Sequence, residues 1–498
     1  MQASPTEEAS AASGATRRLV VRNTLYLTMS QAATVPLSVL VNAITARYLG
    51  PESFGYIYFA GTFAGFGILA VGWGHEGVLP AMIAQDRSLA GRLLGSSFAW
   101  RLALGVVVYA ALSLIFRVSG YGAELQWALA LTFAAAVANS CGAACKDTIR
   151  GFERADIPAY AHVAQQFLLT CLVPVVAVLG GRMRPILAAG VVAPVAVLIW
   201  MVRSLRSVGV YKLSVDRDAL KSLFRGGTPF VFFGLAMALQ PSIDAVFLAK
   251  FGSFEAVGWF GVARKLIGLL LFPASALIGA LYPTLCRLWA SNQDEYKHVA
   301  RGSLHSVALL VMPVALGCAL YPDVGVAIFS KASYGPAADD LRVLSLFLFL
   351  VYFTMPIGTC VLAAGKQVAW SVVQSVCIVV SLVLDPLLTP WCQHKFGNGG
   401  LGPCIAGVVS EVIVVGLGLW LMPRGVFDAR LRRSLFLALL SGVAMALVAH
   451  FTRSITPYVA APLSVLAYGA ALFATGEIDR AQIAKVRDAA LRKFSRGR

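Results

Sequence analysis

Among the charged residues inside runs of sequence otherwise apolar enough to cross a membrane are Arg101, Asp244, Arg264, Lys265 and Glu411. A charge at the centre of a bilayer costs about 2.5–3.5 kcal/mol, so each must face a wet cavity, a partner or the headgroups. Arg264 and Lys265 are neighbours, and adjacent helical positions diverge by ~100°, so the two cannot snorkel along one face. An arginine facing a cavity suits a phosphate, because its planar fork of donors matches the anion's oxygens. Asp244 suits two tasks, orienting one of these bases or holding a cation. Glu411 lies in mid-run, where snorkelling is hardest. It is therefore the candidate proton- or ion-binding group, with a helix–helix hydrogen bond as the other reading. Arg101 sits about two turns from one end of its run, where it reaches either the inner mouth of a cavity or the headgroups. Glu76, in GWGHEGVLP, is placed to neutralise it across helices. Gln240, Gln165 and Gln166 are polar candidates that interhelical hydrogen bonds explain equally well.

The elements that carry these residues are membrane spans. Hydrophobic residues make up 58% of the 498-residue chain, charged residues 13%, and the mean hydropathy is +0.76. A soluble protein of this length needs far more polar surface, and a β-barrel would alternate over ~10-residue segments. The pattern predicts an all-α polytopic membrane protein with spans near 25–46, 56–80, 93–116, 125–145, 158–179, 185–202, 228–249, 256–285, 304–329, 341–364, 367–388, 401–422, 435–450 and 456–474. That is about 14 transmembrane helices. The net charge of +17 does not point to nucleic acid, because the basic residues collect in alternate loops. With the N-terminus inside, 29 Lys and Arg fall in cytoplasmic segments and 9 in the opposite loops, which sets both termini in the cytoplasm.

The chain also repeats itself. FGYIYFA at 54–60 is similar to VGWFGVA at 257–263. Gly55 precedes Pro80 by 25 residues, as Gly258 precedes Pro283. Two six-helix lobes around a central cavity, plus a C-terminal helix pair, accommodate the spans. The expected divisions are a disordered cytoplasmic N-terminus (1–22), an N-lobe (23–202), a cytoplasmic linker (203–227), a C-lobe (228–422), helices 13–14 (423–474) and a basic cytoplasmic tail (475–498). The tail has the apolar spacing of a helix lying on an anionic leaflet. Pro36, Pro174, Pro194, Pro241, Pro273, Pro313 and Pro356 lie within spans and favour bent, moving helices over a static bundle. No phosphate loop, HExxH or GxSxG stands out, and the longest non-cytoplasmic loop, about 389–400, is short for catalysis. The residues read as a non-enzymatic transporter without a cofactor. The cysteines read as buried thiols, with Cys392 and Cys404 the one pair placed to bridge.

The segment NAITARYLGPESFGYIYFAGTFAGF (42–66) resembles the opening of bacterial polysaccharide flippases, the Wzx-type branch of the multidrug/oligosaccharidyl-lipid/polysaccharide exporter superfamily. Arg47, Leu49, Gly50, Pro51, Phe54, Gly55 and Tyr56 carry the match. SIDAVFLAKFGSFEAVGWFGVARKL (242–266) and MPIGTCVLAAGKQ (355–367) are similar to further family segments, so the resemblance spans about 20–475. It implies export of an undecaprenyl-pyrophosphate-linked oligosaccharide to the outer leaflet of the bacterial inner membrane by alternating access. Arg264 and Lys265 would receive the pyrophosphate, with Arg47 near the outer mouth and Arg182 and Arg184 supplementing the charge. H+ or Na+ coupling would act through Asp244 or Glu411. Expected partners are the lipid-linked oligosaccharide, membrane lipids, a polysaccharide polymerase and glycosyltransferases. A lipid II-type flippase, a cation-coupled multidrug pump and a non-transporting scaffold of a synthesis complex are the competing readings.

Overall fold

The computed structural model describes residues 5–329, 332–452 and 456–477, and the described residues are helical almost throughout. The helices are α1 (Pro5–Gly72), α2 (His75–Gln85), α3 (Ala90–Val118), α4 (Ala123–Gly151), α5 (Asp156–Val178), α6 (Met183–Ser204), α7 (Arg217–Phe251), α8 (Phe254–Leu270), α9 (Phe272–Ser291), α10 (Gln293–Leu320), α11 (Pro322–Phe329), α12 (Gly335–Ala363), α13 (Gln367–Phe396), α14 (Leu401–Leu421), α15 (Ala429–Phe451) and α16 (Pro457–Ala474). Among the described residues, twelve helical stretches are long and apolar enough to cross a membrane.

Two features reconcile twelve with the fourteen expected. Met29–Gln85 forms one 57-residue stretch. At ~1.5 Å per residue it is far too long for a single crossing. Gly50, with φ +81° and ψ 173°, interrupts it where a loop is expected between spans 1 and 2. Only glycine adopts that φ without strain. The other feature is α7, which contains the expected span 228–249. The protein is thus a multi-pass, all-α membrane protein. Large apolar side chains such as Val106, Leu114, Trp420 and Leu466 are exposed, as a lipid-facing surface requires.

Several spans are discontinuous. Span 2 breaks at Trp73–Gly74 between α1 and α2, and span 8 breaks at Leu271 between α8 and α9. Pro273 therefore begins a helix, where the sequence suggested a bend within one. The expected loop at 389–400 is mostly helix, since α13 continues to Phe396 and Gly397 (φ +69°) ends it. Helix also begins at Pro5, within the stretch whose small polar residues suggest disorder. The basic tail from residue 478 onward, with its expected surface helix, lies outside the described residues.

The described residues divide into two compact units, one running to Gly258 and including 329 and 332–333, the other from Trp259 onward. In the first unit α4 packs on α6, α1 on α4 and α5, and α7 on α1, α2 and α3. Packing thus groups α7 with the first six spans, whereas the sequence division begins the second lobe with it. The 203–227 connector is docked on α3. Ser96 Oγ accepts from the Asp216 amide at 2.9 Å and donates to its carbonyl at 3.1 Å. Leu79, Ile83, Leu93, Cys145, Ile149, Met201 and Leu223 form an apolar core beneath it. The second unit is built on α12, which packs against α9, α10 and α14, with α13 on α14 and the pair α15–α16 beside α10. Tyr296, Ile357, Cys360, Trp370 and Val414 lie at its core.

The repeat has a structural counterpart within the first unit. A Cβ on Gly55 would run into the carbonyl of Phe254, and a Cβ on Gly258 into the carbonyl of Pro51. Phe254 and Pro51 each lie one helical turn before the glycine of their own repeat.

Candidate functional site

The break in span 2 creates a polar centre inside the first unit. Trp73 has φ +43° and Gly74 φ +65°. A bulky residue at positive φ is strained, and such strain persists only where surrounding structure imposes it. Gly74 has no space for a side chain, since a Cβ there would meet the Gly227 carbonyl. The break starts α2 without a side-chain cap, so its first amides keep their partial positive charge.

Arg101, on α3, is fully buried beside this break. Its Nη1 lies 3.8 Å from where a Cβ of Gly72 would stand. Nε donates to Ser97 Oγ at 3.2 Å, and Nη1 donates to the Ser140 carbonyl at 2.9 Å and to the Ser140 hydroxyl. Ser97 Oγ is also 3.0 Å from Nδ1 of His75, itself fully buried. Among the described residues no carboxylate forms an ion pair with Arg101. Glu76 and Asp147 act on it only at longer range, and Asp147 pairs with Arg150 at 3.1 Å. Glu76 is exposed, so the direct neutralisation expected of it does not occur. Nor does Arg101 snorkel. Arg101 Nη2, His75 Nε2, Trp73 Nε1 and Trp100 Nε1 are all buried without a hydrogen-bond partner. The two indoles meet edge to face at 5.9 Å, and Phe224 stacks on Trp73 at 4.2 Å and stands edge-on to Trp100 at 5.0 Å.

The other expected residues of this unit are scattered. Asp244 is 1% exposed on α7, and Gln240, one turn earlier, has a buried Nε2 without a hydrogen-bond partner. Arg47 is exposed. Gln165 donates to Asn139 on α4 at 2.6 Å, the interhelical bond that was its plainer reading. A cavity of about 900 Å³ is lined by Tyr48, Glu52, Tyr56, Glu124, Arg182 and Arg184. Arg184 does not bring it free positive charge, because its Nη2 is paired with Glu124 at 2.7 Å and its guanidinium stacks over Trp127. Tyr56 donates to Glu52 at 2.8 Å. Two carboxylates balance two guanidiniums here.

In the second unit Arg264 lies over two phenyl rings, 5.4 Å from the centroid of Phe260 and 4.9 Å from that of Phe347. Its field reaches Glu411, which is 8% exposed and accepts from Thr354 Oγ1 at 2.7 Å. The structure so brings together a base and an acid that the sequence places 147 positions apart. Lys265, next to Arg264 in sequence, is half-buried. Cys392 and Cys404 are buried thiols.

Sequence reasoning missed two features. Trp73 and Trp100 carry orphaned donors beside Arg101, and the Gly-Trp-Gly run inside a span was the available signal. Asp340, fully buried, sits one residue outside an expected span. Asn398 donates to it at 2.9 Å while accepting from the Gly400 amide at 3.0 Å.

The sequence from 20 to 289 matches the polysaccharide biosynthesis protein family, more than half of the chain. This chain belongs to that family. Membership accords with the Wzx-type resemblance read from residues 42–66. Among solved structures, the family member is similar to the lipid II flippase MurJ in an inward closed conformation, with a TM-score of 0.70 at 13% identity, covering 90% of this chain and 98% of that one. An inward-facing multidrug resistance MATE family transporter of the MOP superfamily gives 0.65 at 20% identity, covering 80% and 95%. A MOP superfamily transporter from Pyrococcus furiosus gives 0.55 at 20% identity, covering 81% and 94%. At these identities the likeness is one of fold. The polysaccharide biosynthesis family member therefore has the fold of MOP-superfamily membrane transporters, and no enzyme fold is among these relatives. A search of curated proteins finds no match.

Proposed function

We propose that this protein is a flippase that moves an undecaprenyl-pyrophosphate-linked oligosaccharide from the inner to the outer leaflet of the cytoplasmic membrane. It works by alternating access, coupled to H+ or Na+. The observation that carries the reading is Arg264, a guanidinium held on two aromatic rings within a membrane span, with the carboxylate of Glu411 inside its field. A guanidinium held this way suits a pyrophosphate, since the planar N–H fork matches the anion's oxygens and the rings fix its plane. Glu411 and the pyrophosphate compete for the same positive charge. Protonation of Glu411, or its occupation by Na+, releases Arg264 to the substrate, and the return of its charge expels the substrate. Lys265 and Arg47 add positive charge along the path, and Asp244 is the second ion-coupling candidate. Family membership and the fold support transport of a lipid-linked substrate. Both termini lie in the cytoplasm in this reading, and the glycosyltransferases and polymerase of the same synthesis route act on either side.

Reconstitution in vesicles tests it. Labelled lipid-linked oligosaccharide is placed in the leaflet facing the cytoplasmic side, and its headgroup is followed by access to an external lectin. The expected result is lectin access that depends on an ion gradient and falls at least about tenfold in Arg264→Gln, the loss of one charge-assisted contact. Equal movement of lipid II, or uptake of a cationic dye with none of the glycan lipid, overturns the assignment.

A further inference from the structure

We infer that the break between α1 and α2 is a second anion site, one that takes a phosphate or pyrophosphate ester and is closed in this structure by Phe224. The inference rests on the flippase reading only for the identity of the natural ligand.

Three independent features meet there. The first is a fully buried guanidinium whose charge is met by two hydroxyls and a carbonyl, with no carboxylate in ion-pair contact. A buried charge without a counter-charge is unstable unless something supplies one. Nη2 of Arg101 has no hydrogen-bond partner, although every other buried edge of the guanidinium is engaged. The second is the company of two N–H groups in the same condition, Nε1 of Trp73 and Nε1 of Trp100, with the buried Nε2 of His75 also without a partner. The His75 ring is tied to Arg101 through Ser97 Oγ, and Trp73 and Trp100 are in ring contact. Native proteins leave few buried donors unsatisfied, and these three, the Arg101 guanidinium and the two indoles, share one chemical need, an acceptor. The third is the uncapped N-terminus of α2, an 11-residue helix whose first residue is His75. A half-helix that begins inside a membrane span presents amides and the positive end of its dipole to an anion. The donors are N–H groups with no carboxylate among them, which selects an anion over a metal ion, and a dianionic phosphate over a chloride.

Access follows from the same residues. Phe224, from α7, covers both indoles, stacking on one and meeting the other edge-on. The strained backbone at Trp73 and the glycine after it give the break a conformation that other residues must impose. Withdrawal of Phe224 uncovers the two indoles, Trp73 and Trp100. In the orientation set by loop charge, α2 runs towards the cytoplasmic side, so the site lies about 11 residues, or ~16 Å, from that end. It is placed to receive an anionic headgroup early in the cycle, as Arg264 is placed to hold it later.

The test uses the full chain, purified in detergent, with tryptophan fluorescence and thermal melting as readouts. Inorganic pyrophosphate and farnesyl pyrophosphate are the probes. Both are expected to raise the melting temperature and to change the fluorescence saturably. Arg101→Gln is expected to weaken both responses at least about tenfold. Trp73→Phe and Trp100→Phe each remove one reporter and one donor and diminish the signal, and Phe224→Ala speeds the response. Arg264→Gln leaves the tryptophan response in place, since Trp73 and Trp100 report only on this site. Without probe, Arg101→Gln melts no lower than the parent, because it removes a buried charge that no carboxylate meets in an ion pair. A lower melting point combined with an unaltered response to pyrophosphate marks Arg101 as a structural residue and overturns the site. So does the absence of any response in both the parent and Phe224→Ala. Bilayer discs containing phosphatidic acid distinguish the source. If they displace pyrophosphate as well as the isoprenoid pyrophosphate does, the anion is a bilayer headgroup; otherwise it is the isoprenoid substrate's. Either result supports the anion site. Loss of transport with pyrophosphate binding intact counts against the flippase reading and leaves this site standing.

Discussion

Gly55 and Gly258 occupy equivalent positions in the two repeats, and each faces the backbone carbonyl one turn ahead of the other. The reciprocal contact explains why the repeat keeps a glycine there. A methyl group on either residue meets a backbone oxygen, which cannot rotate away as a side chain can. The close approach of α1 to the start of α8 depends on both.

Gly55→Ala and Gly258→Ala are therefore each expected to destabilise this contact by about 1–3 kcal/mol, the usual cost of overpacking. The double substitution is expected to cost less than the sum, because one separation of the helices relieves both clashes. Thermal melting in detergent reads it. Full additivity, or no loss at all, would show that the two glycines do not share a contact.

Glu411→Gln keeps an acceptor for Thr354 Oγ1 while removing the charge from the field of Arg264. The expected outcome is a small change in stability and a transport rate that no longer responds to pH or Na+. Thr354→Val, which removes only the hydrogen bond, is expected to cost about 0.6 kcal/mol and to preserve the ion response. Flux through Glu411→Gln with its ion dependence unchanged sinks the coupling role.

Arg264→Lys preserves the charge and loses the planar face that lies on Phe260 and Phe347. Its flux is expected to fall well below that of the parent, since lysine lacks the fork and stacks less well. Phe347→Leu removes the nearer ring and is expected to cost about 0.5–2 kcal/mol of arginine positioning, read as a partial loss of flux. Parent-like transport in Arg264→Lys would show that charge alone is used.

Asn398→Ala is expected to destabilise the second unit by about 1–3 kcal/mol, because it strips the buried Asp340 carboxylate of its amide donor and frees the Gly400 amide. Adding Asp340→Asn to that variant is expected to recover part of the loss, since a neutral amide is cheaper to bury than a carboxylate. Chemical or thermal unfolding of the single and double variants checks it. A double variant less stable than Asn398→Ala would assign Asp340 a partner other than Asn398.

Hydropathy and loop charge by themselves determined that this chain is an all-α, multi-pass membrane protein. They also located its spans, because burial of a helix in lipid is a one-dimensional constraint that composition reports directly. The repeat was legible for the same reason, through Gly55, Gly258 and their prolines. So were the charges Arg101, Asp244, Arg264, Lys265 and Glu411, since an intramembrane charge is costly and therefore conspicuous. What each charge touches was decided only by the tertiary structure. Sequence paired Arg101 with Glu76 across helices, yet Arg101 is buried on Ser97 and Ser140 while Glu76 faces outward. The resemblance offered Arg184 as supplementary positive charge, and Glu124 holds it. Sequence separated Arg264 from Glu411, and folding sets one in the other's field. Such contacts depend on helix rotation and on breaks such as Trp73–Gly74 and Leu271. A rotation of ~100° per residue moves a side chain from lipid to core without altering the apolar count of its span.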